Sequence, residues 1–394
     1  MSETLRIAFL SSDHPRQTAR GAGHIISEVS RRMAHAGHDV DVYYPVRSRG
    51  LPSVQDFDGV RGIPVGCLNS AHLPFGSDLE YAWRVAKVLP ADREVIVAHN
   101  ESGGVFVTRQ SRRGRAHGSA VTVQTFHGIA LRFLQIARDR RPKRLRAQLG
   151  YYPDWLVVRA LEGGAARNAD ACIVCSRAIG AEVTQLYRVP RPRIRVIYNG
   201  VETQPAPTLA ERAEARRFAG VPEGAMAVSF LGEDTHRKGL DVATRTVELL
   251  RRRGRPAVLL NMGNFAASTD AVRSFGFVDD ATKRRLLVAS DVFLLPTRYE
   301  GLPAVVQEAA SLRVPVVTTR AANIEWGTPG QDFLLLEPNT PEMAAEVLEG
   351  LATSEERRRS LAEGGYRELG SRGYEQQTDE YLALFRELLA GTGR

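Results

Sequence analysis

Two glutamates separated by seven residues, Glu300 and Glu308, stand in the stretch Val292-Phe-Leu-Leu-Pro-Thr-Arg-Tyr-Glu-Gly-Leu-Pro-Ala-Val-Val-Gln-Glu-Ala-Ala-Ser-Leu-Arg-Val-Pro-Val-Val-Thr318. Their surroundings predict where they sit. Val292 to Leu295 is a short apolar run that fits a strand buried on both faces of a parallel sheet. A loop carries Glu300 and Gly301. Pro303 suits the first helical position, where its missing N–H costs nothing, and Ala304 to Leu312 continue as helix formers. Pro315 stops that helix and Val316-Val317 resumes a buried strand, so the whole reads as one parallel crossover unit. A helix entrance offers unpaired N–H groups and partial positive charge, a ready seat for phosphate. With the helix starting near Leu302, Glu308 lies roughly 9 Å along its axis. Two carboxylates so spaced cannot share a small substrate, but they could grip both ends of a long one, such as the sugar and the ribose of a nucleotide sugar.

Other residues with usable chemistry lie at predicted strand exits. Strand Ala227 to Leu231 ends in Gly232-Glu-Asp-Thr-His-Arg-Lys-Gly239, ahead of a helix from about Leu240 to Arg252. Arg237 and Lys238 in such a glycine-flanked segment can neutralise a diphosphate leaving group. His127 follows strand Val121 to Thr125, at the carboxyl end where open α/β sheets bind ligands. A lone histidine after a strand is more often structural than catalytic, but this position favours a site role. Leu5 to Leu10 is a strand, and Ile25, Ile26, Val29 and Met33 recur at helical spacing after a loop ending in Gly21-Ala-Gly23. Strand, glycine loop and helix form a phosphate-binding arrangement, although these glycines fall short of the dinucleotide fingerprint and also suit a plain tight turn.

The Glu-x7-Glu spacing, with Gly301, Pro303 and the apolar flanks, resembles the donor signature of the family-four retaining glycosyltransferases. The resemblance implies that Glu300 contacts the transferred sugar and Glu308 the nucleotide ribose, with Gly301 and Leu302 at the helix entrance. It gives Gly232, Arg237 and Lys238 the diphosphate. It puts Gly21 and Gly23 over the diphosphate and acceptor, and His127 beside the sugar. Gly263 and Gly276-Phe-Val278 match the strand exits where the family seats the base. Departures are visible too. Glu233 stands where many relatives carry Arg, and Arg237-Lys238-Gly239 resembles the triplet of a lipopolysaccharide-core glucosyltransferase subset. Arg313 stands where glycine usually ends the helix, and Ala321-Ala322-Asn323 replaces a glycine-rich loop, with Ile324-Glu325 retaining part of the usual Pro-Glu pair.

Composition sets the bounds. The chain has 394 residues, 43% hydrophobic and 25% charged, ordinary for a globular protein large enough for two domains. Nothing resembles a signal peptide or a bilayer-spanning run, so a cytoplasmic location is expected, with room for peripheral contact at the inner membrane face. Cys172-Ile-Val-Cys175 has metal or redox spacing, but only Cys67 accompanies it and the flanks read as a buried strand. No metal ligand set and no cofactor are expected. The net charge of +8 makes an anionic partner plausible, and no motif accompanies it that would point to nucleic acid. Arg138-Asp-Arg-Arg-Pro-Lys-Arg-Leu-Arg146, followed by Tyr151, Tyr152 and Trp155, suits an anionic surface or acceptor; the bland alternative is a solvated basic loop.

These readings give an α/β protein of GT-B type, two Rossmann-like doubly wound parallel-sheet domains facing a cleft. The expected divisions are 1–202 for the acceptor domain, 203–375 for the donor domain and 376–394 for a helix crossing back. The expected activity is retaining, metal-independent transfer of a sugar from a UDP- or GDP-type donor to a hydroxyl acceptor that can be anionic or lipid-linked. The alternatives are a nucleotide-sugar epimerase or a phosphorylase of the same architecture, though no pyridoxal phosphate lysine site is recognisable. A noncatalytic binding protein for sugar nucleotides or anionic surfaces is the third.

Overall fold

In the computed structural model, the described residues are 3–12, 21–46, 53–67, 76–100, 102–112, 120–139, 151–233, 235–263, 268–370 and 372–391. The chain divides into two compact units, Met1–Gly200 with Tyr374–Arg394, and Val201–Gly373.

The first unit is built on an eight-stranded sheet of order β3-β4-β2-β1-β5-β6-β7-β8. The strands are β1 (Arg6–Leu10), β2 (Asp39–Val46), β3 (Gln55–Phe57), β4 (Val60–Gly66), β5 (Val95–His99), β6 (Val121–Phe126), β7 (Ala171–Val174) and β8 (Ile194–Val196). All neighbours are parallel except β3 on β4. That antiparallel pair turns through Asp58 and Gly59, both left-handed at φ 59° and 85°, as the favoured two-residue hairpin turn requires. β5 and β6 are buried throughout, the result of helices on both faces of a parallel sheet. Tyr381, Leu382, Leu384, Phe385 and Leu389 of the last helix, Tyr374–Gly391, join the same apolar core as β1, β2, β5 and β6.

The second unit carries six parallel strands in the order β11-β10-β9-β12-β13-β14: β9 (Met226–Gly232), β10 (Ala257–Gly263), β11 (Val272–Gly276), β12 (Val292–Leu295), β13 (Val316–Thr318) and β14 (Leu334–Leu335). Both sheets reverse their order beside a first strand, between β1 and β5 and between β9 and β12. Ligands of open α/β sheets bind at such switch points, outside the carboxyl ends of the strands. In the second unit, the segments leaving β9 and β12 are those carrying Arg237, Lys238 and Glu300.

Two local expectations are corrected. Pro303 is the N-cap of helix Ala304–Ser311, with extended backbone, rather than its first helical residue. Gly21 and Gly23 lie inside the first turn of helix Gly21–His35, not in the loop before it; of that loop, 13–20 lie outside the described residues.

Candidate active site

β12 delivers its chain into the segment Pro296–Pro303, which is pinned from both sides. Thr319 Oγ1 donates to the carbonyl of Thr297 at 2.7 Å, and the Glu300 amide donates to the carbonyl of Ala321 at 2.9 Å. Asn323 Nδ2 donates to the carbonyl of Glu300 at 2.7 Å. Glu300 is thus fixed by its backbone before its side chain is considered, as a group that must be held to sub-ångström tolerance requires.

The partner segment leaves β9 at the buried Gly232 and forms a single short turn, Thr235–Lys238, ahead of helix Leu240–Arg252. Gly239 between them has φ 84°, and a Cβ there would meet the Pro296 carbonyl oxygen at 2.1 Å. Only glycine lets these two loops touch. Across that contact Arg298 N and Thr297 Oγ1 donate to the carbonyl of Arg237 at 2.7 and 3.0 Å. Arg298 also pairs with Asp241 through two bonds of 3.0 and 2.8 Å.

The outcome is a three-membered charge cluster. Arg237 Nη1 and Lys238 Nζ each lie 2.7 Å from the same Glu300 oxygen, Oε1. Arg237 Nη1 also donates to the carbonyl of Tyr299 at 3.0 Å. The Arg237, Lys238 and Glu300 side chains are 16%, 13% and 10% exposed. Two cations against one carboxylate leave a net positive charge in a weakly solvated place, which favours a polyanion.

Glu308 lies in helix Ala304–Ser311, apart from that cluster in partners. Its Oε1 accepts from Lys283 Nζ at 2.9 Å, and its Oε2 is buried without a hydrogen-bond partner. Lys283 also meets Asp280 at 2.9 Å. Burial pulls the Lys283 ammonium toward neutrality, and the Glu308 and Asp280 charges more than offset this, holding its pKa above the usual lysine value. On the strand next to β9, Gly263 ends β10 at φ 118°, where a Cβ would lie 2.4 Å from the Gly232 carbonyl oxygen. Val278, just past Gly276 of β11, packs against the core. Gly301 and Leu302 are buried beside Glu300.

In the first unit His127 is paired with a residue that sequence reading passed over. His99, the last residue of β5, places Nδ1 2.9 Å from His127 Nε2, with the rings within 7° of coplanar. Phe9 stacks on His99 at 5.9 Å between centroids. The amide of His99 donates to Ser102 Oγ at 3.1 Å, and that hydroxyl donates to the Leu10 carbonyl at 2.9 Å. Burial lowers the pKa of His127 to about 4. Burial, then the neighbouring His127, lowers that of His99 well below the ordinary histidine value. Both rings are therefore neutral near pH 7, and the pair shares one proton across its contact. The signal for His99 was its place: β5 and β6 are parallel neighbours with His99 opposite Thr125, two residues before His127.

Cys67, Cys172 and Cys175 are buried and in no disulfide, with burial pushing Cys172 up to about 12, so the Cys-x-x-Cys spacing belongs to β7 and its buried exit. Arg138 pairs with Asp139 at 3.2 Å, and the rest of the basic stretch lies outside the described residues. Among the described residues no helix is long and apolar enough to cross a membrane.

Comparison with known proteins bears on the fold and the family. A family model described as Glycosyltransferase Family 4 matches residues 19–205, and one described as Glycosyl transferases group 1 matches residues 225–354. A glycogen synthase of Mycobacterium tuberculosis is 25% identical over 360 residues, covering 81% of this chain and 79% of the relative. Among solved structures, a sucrose-phosphate synthase from Thermosynechococcus elongatus superposes with a TM-score of 0.79 at 18% identity, covering 98% of this chain and all of that one (100%). WaaG, a glycosyltransferase involved in lipopolysaccharide biosynthesis, superposes at 0.72 and 19% identity, covering 96% and 99% of the two chains. These two likenesses show the same two-unit fold.

Proposed function

The chain belongs to the family-four glycosyltransferases of GT-B fold, and from that premise we propose that it moves a sugar to a hydroxyl acceptor with retention at the anomeric carbon and without a metal ion. Its general activity is glycosyl transfer from a nucleotide sugar. The observation that carries the finer reading is the Glu300 carboxylate held by both Arg237 and Lys238 at 2.7 Å. Breaking the bond between the anomeric carbon and the diphosphate oxygen leaves charge on the diphosphate. Two cations on fixed loops can take up that charge without reorganising, which is the largest electrostatic demand of the step. The new bond forms from the acceptor oxygen to the same carbon, and the acceptor proton leaves with the nucleoside diphosphate.

Glu300 is assigned to the transferred sugar and Glu308 to the ribose. The separate partners of the two carboxylates support this, since one sits among phosphate-binding cations and the other keeps a buried oxygen open for a donor. Gly263 and Val278 are assigned to the base, Gly21 and Gly23 to the diphosphate side of the first unit, and His127 to the sugar. Metal independence is supported by the two cations, which stand where a metal ion would otherwise take up the diphosphate charge. The acceptor class stays broad: a hydroxyl compound, which the basic stretch Arg138 to Arg146 suits for an anionic or lipid-linked form.

The test is a thermal-shift screen of UDP, GDP and ADP and their glucose and mannose conjugates in excess chelator, on the wild type and on Arg237→Ala and Lys238→Ala. A ligand that binds only folded protein raises its melting temperature by mass action. The wild type is expected to be stabilised by one nucleotide class and each variant much less. A shift that needs added magnesium, or survives in both variants, contradicts the proposal.

A further inference from the structure

Lys283 is out of place by local rules. It sits in the first turn of helix Asp280–Val288, whose N-cap Asp279 accepts from the Thr282 amide at 2.7 Å. A cation there opposes the positive end of the helix dipole. Residues that break local preference mark functional sites. Lys283 is also well buried, 13% exposed in its side chain, and bridges the mostly exposed Asp280 to the mostly buried Glu308.

We propose that Lys283 is a positioning residue for the ribose end of the donor site: its ammonium, bridging from Asp280, fills Oε1 of Glu308 and leaves Oε2 as the oxygen that takes a ribose hydroxyl. The inference rests on the ribose reading of Glu308 given above. Its independent support is the state of the two oxygens. Oε1 has its donor at 2.9 Å, while Oε2 is buried and has none. A buried carboxylate oxygen without a donor is costly in the empty protein, and an arriving hydroxyl satisfies it. The helix carrying Lys283 is capped and therefore holds the ammonium on a rigid base.

The arrangement also explains the choice of lysine. An ammonium is a compact point charge that occupies one oxygen. A guanidinium is a planar fork that takes both oxygens of a carboxylate at once. Arginine at this position would keep the charge and tighten the ion pair, yet close the oxygen the ribose needs. A purely structural ion pair makes the opposite forecast, because arginine would serve it at least as well.

Calorimetric titration of UDP, GDP and ADP into the wild type, Glu308→Gln, Lys283→Met and Lys283→Arg, beside melting curves, tests this. For the nucleotide that binds the wild type, all three variants are expected to lose affinity tenfold or more, while Lys283→Arg melts at or above the wild type. Lys283→Met strands the carboxylate, so if it melts low the arginine variant carries the test. Wild-type affinity in Lys283→Arg, with loss in Glu308→Gln, overturns the inference alone. Wild-type affinity in Glu308→Gln overturns the ribose reading of Glu308, and the inference with it.

Discussion

Asn323 reaches back from a left-handed backbone, φ 52°, to donate through Nδ2 to the main-chain oxygen of Glu300 at 2.7 Å. The sequence marks this place as a departure, Ala321-Ala322-Asn323 where a glycine-rich loop is usual. Asparagine resolves it physically, because it tolerates the left-handed region and its amide supplies a donor that glycine lacks. The loop is therefore an alternative way of fixing Glu300.

Asn323→Gly keeps the backbone conformation and removes the bond. Turnover is expected to fall about tenfold with little change in stability, the worth of one hydrogen bond of about 1.5 kcal/mol expressed in positioning. Steady-state kinetics beside a melting curve checks it. Unchanged turnover would show that Glu300 is fixed without Asn323.

Arg313 shows the same substitution logic with a different solution. It adopts φ 56° after helix Ala304–Ser311, a conformation natural to glycine, and its guanidinium lies 3.6 Å from the Tyr366 ring centroid and 3.1 Å from Glu363. The strain and the contacts are each of about 1 kcal/mol. Arg313→Gly should therefore change stability by less than about 1 kcal/mol, whereas Arg313→Val should cost about 2 kcal/mol or more, since a β-branched residue resists a positive φ. Chemical denaturation of both variants distinguishes them; equal stability would mean the backbone, not the side chain, relaxes.

The paired histidines give a pH prediction with a definite sign. The folded pKa of His127 is depressed to about 4 from an ordinary 6.5, so between those values the unfolded chain takes up a proton that the folded chain refuses. Stability from this residue is full above pH 6.5 and is lost as pH falls toward 4, by about 3 kcal/mol at most. Urea midpoints at pH 7.5 and 4.5 should differ more in the wild type than in His127→Gln, where the titrating group is gone. An identical pH response in the two proteins would contradict the buried neutral pair.

Much of this was legible in the residues, for reasons that also mark where legibility stops. The β12 stretch announced itself because apolar runs, Pro303, Pro315 and a helical interval are local signals; the structure departs from them in making Pro303 a cap and in starting the helix at Ala304 rather than near Leu302, which puts Glu308 about 6 Å along it rather than roughly 9 Å. Arg237-Lys238-Gly239 was legible because Gly239 is forced by its approach to Pro296. The Asp58-Gly59 hairpin carried a strong turn signal between β3 and β4, but β3 is only three residues long and gives no alternation to read. Lys283 and His99 could not be found in the same way. Each acquires its meaning from a partner on another element, 25 and 28 residues away, and neither has a spacing signature. The Gly21-Gly23 segment misled because glycine marks a loop by composition, yet here it opens a helix.

The central claim is that the Arg237, Lys238 and Glu300 cluster supports sugar transfer from a nucleotide donor. Its most direct test is mass-spectrometric product analysis with the stabilising nucleotide sugar, a panel of hydroxyl acceptors and excess chelator, for wild type and Glu300→Gln. The account predicts nucleoside diphosphate released one for one with a glycoside of retained anomeric configuration, and a turnover at least tenfold lower in Glu300→Gln. Donor sugar isomerised without glycoside, an inverted product, or full activity in Glu300→Gln would contradict it.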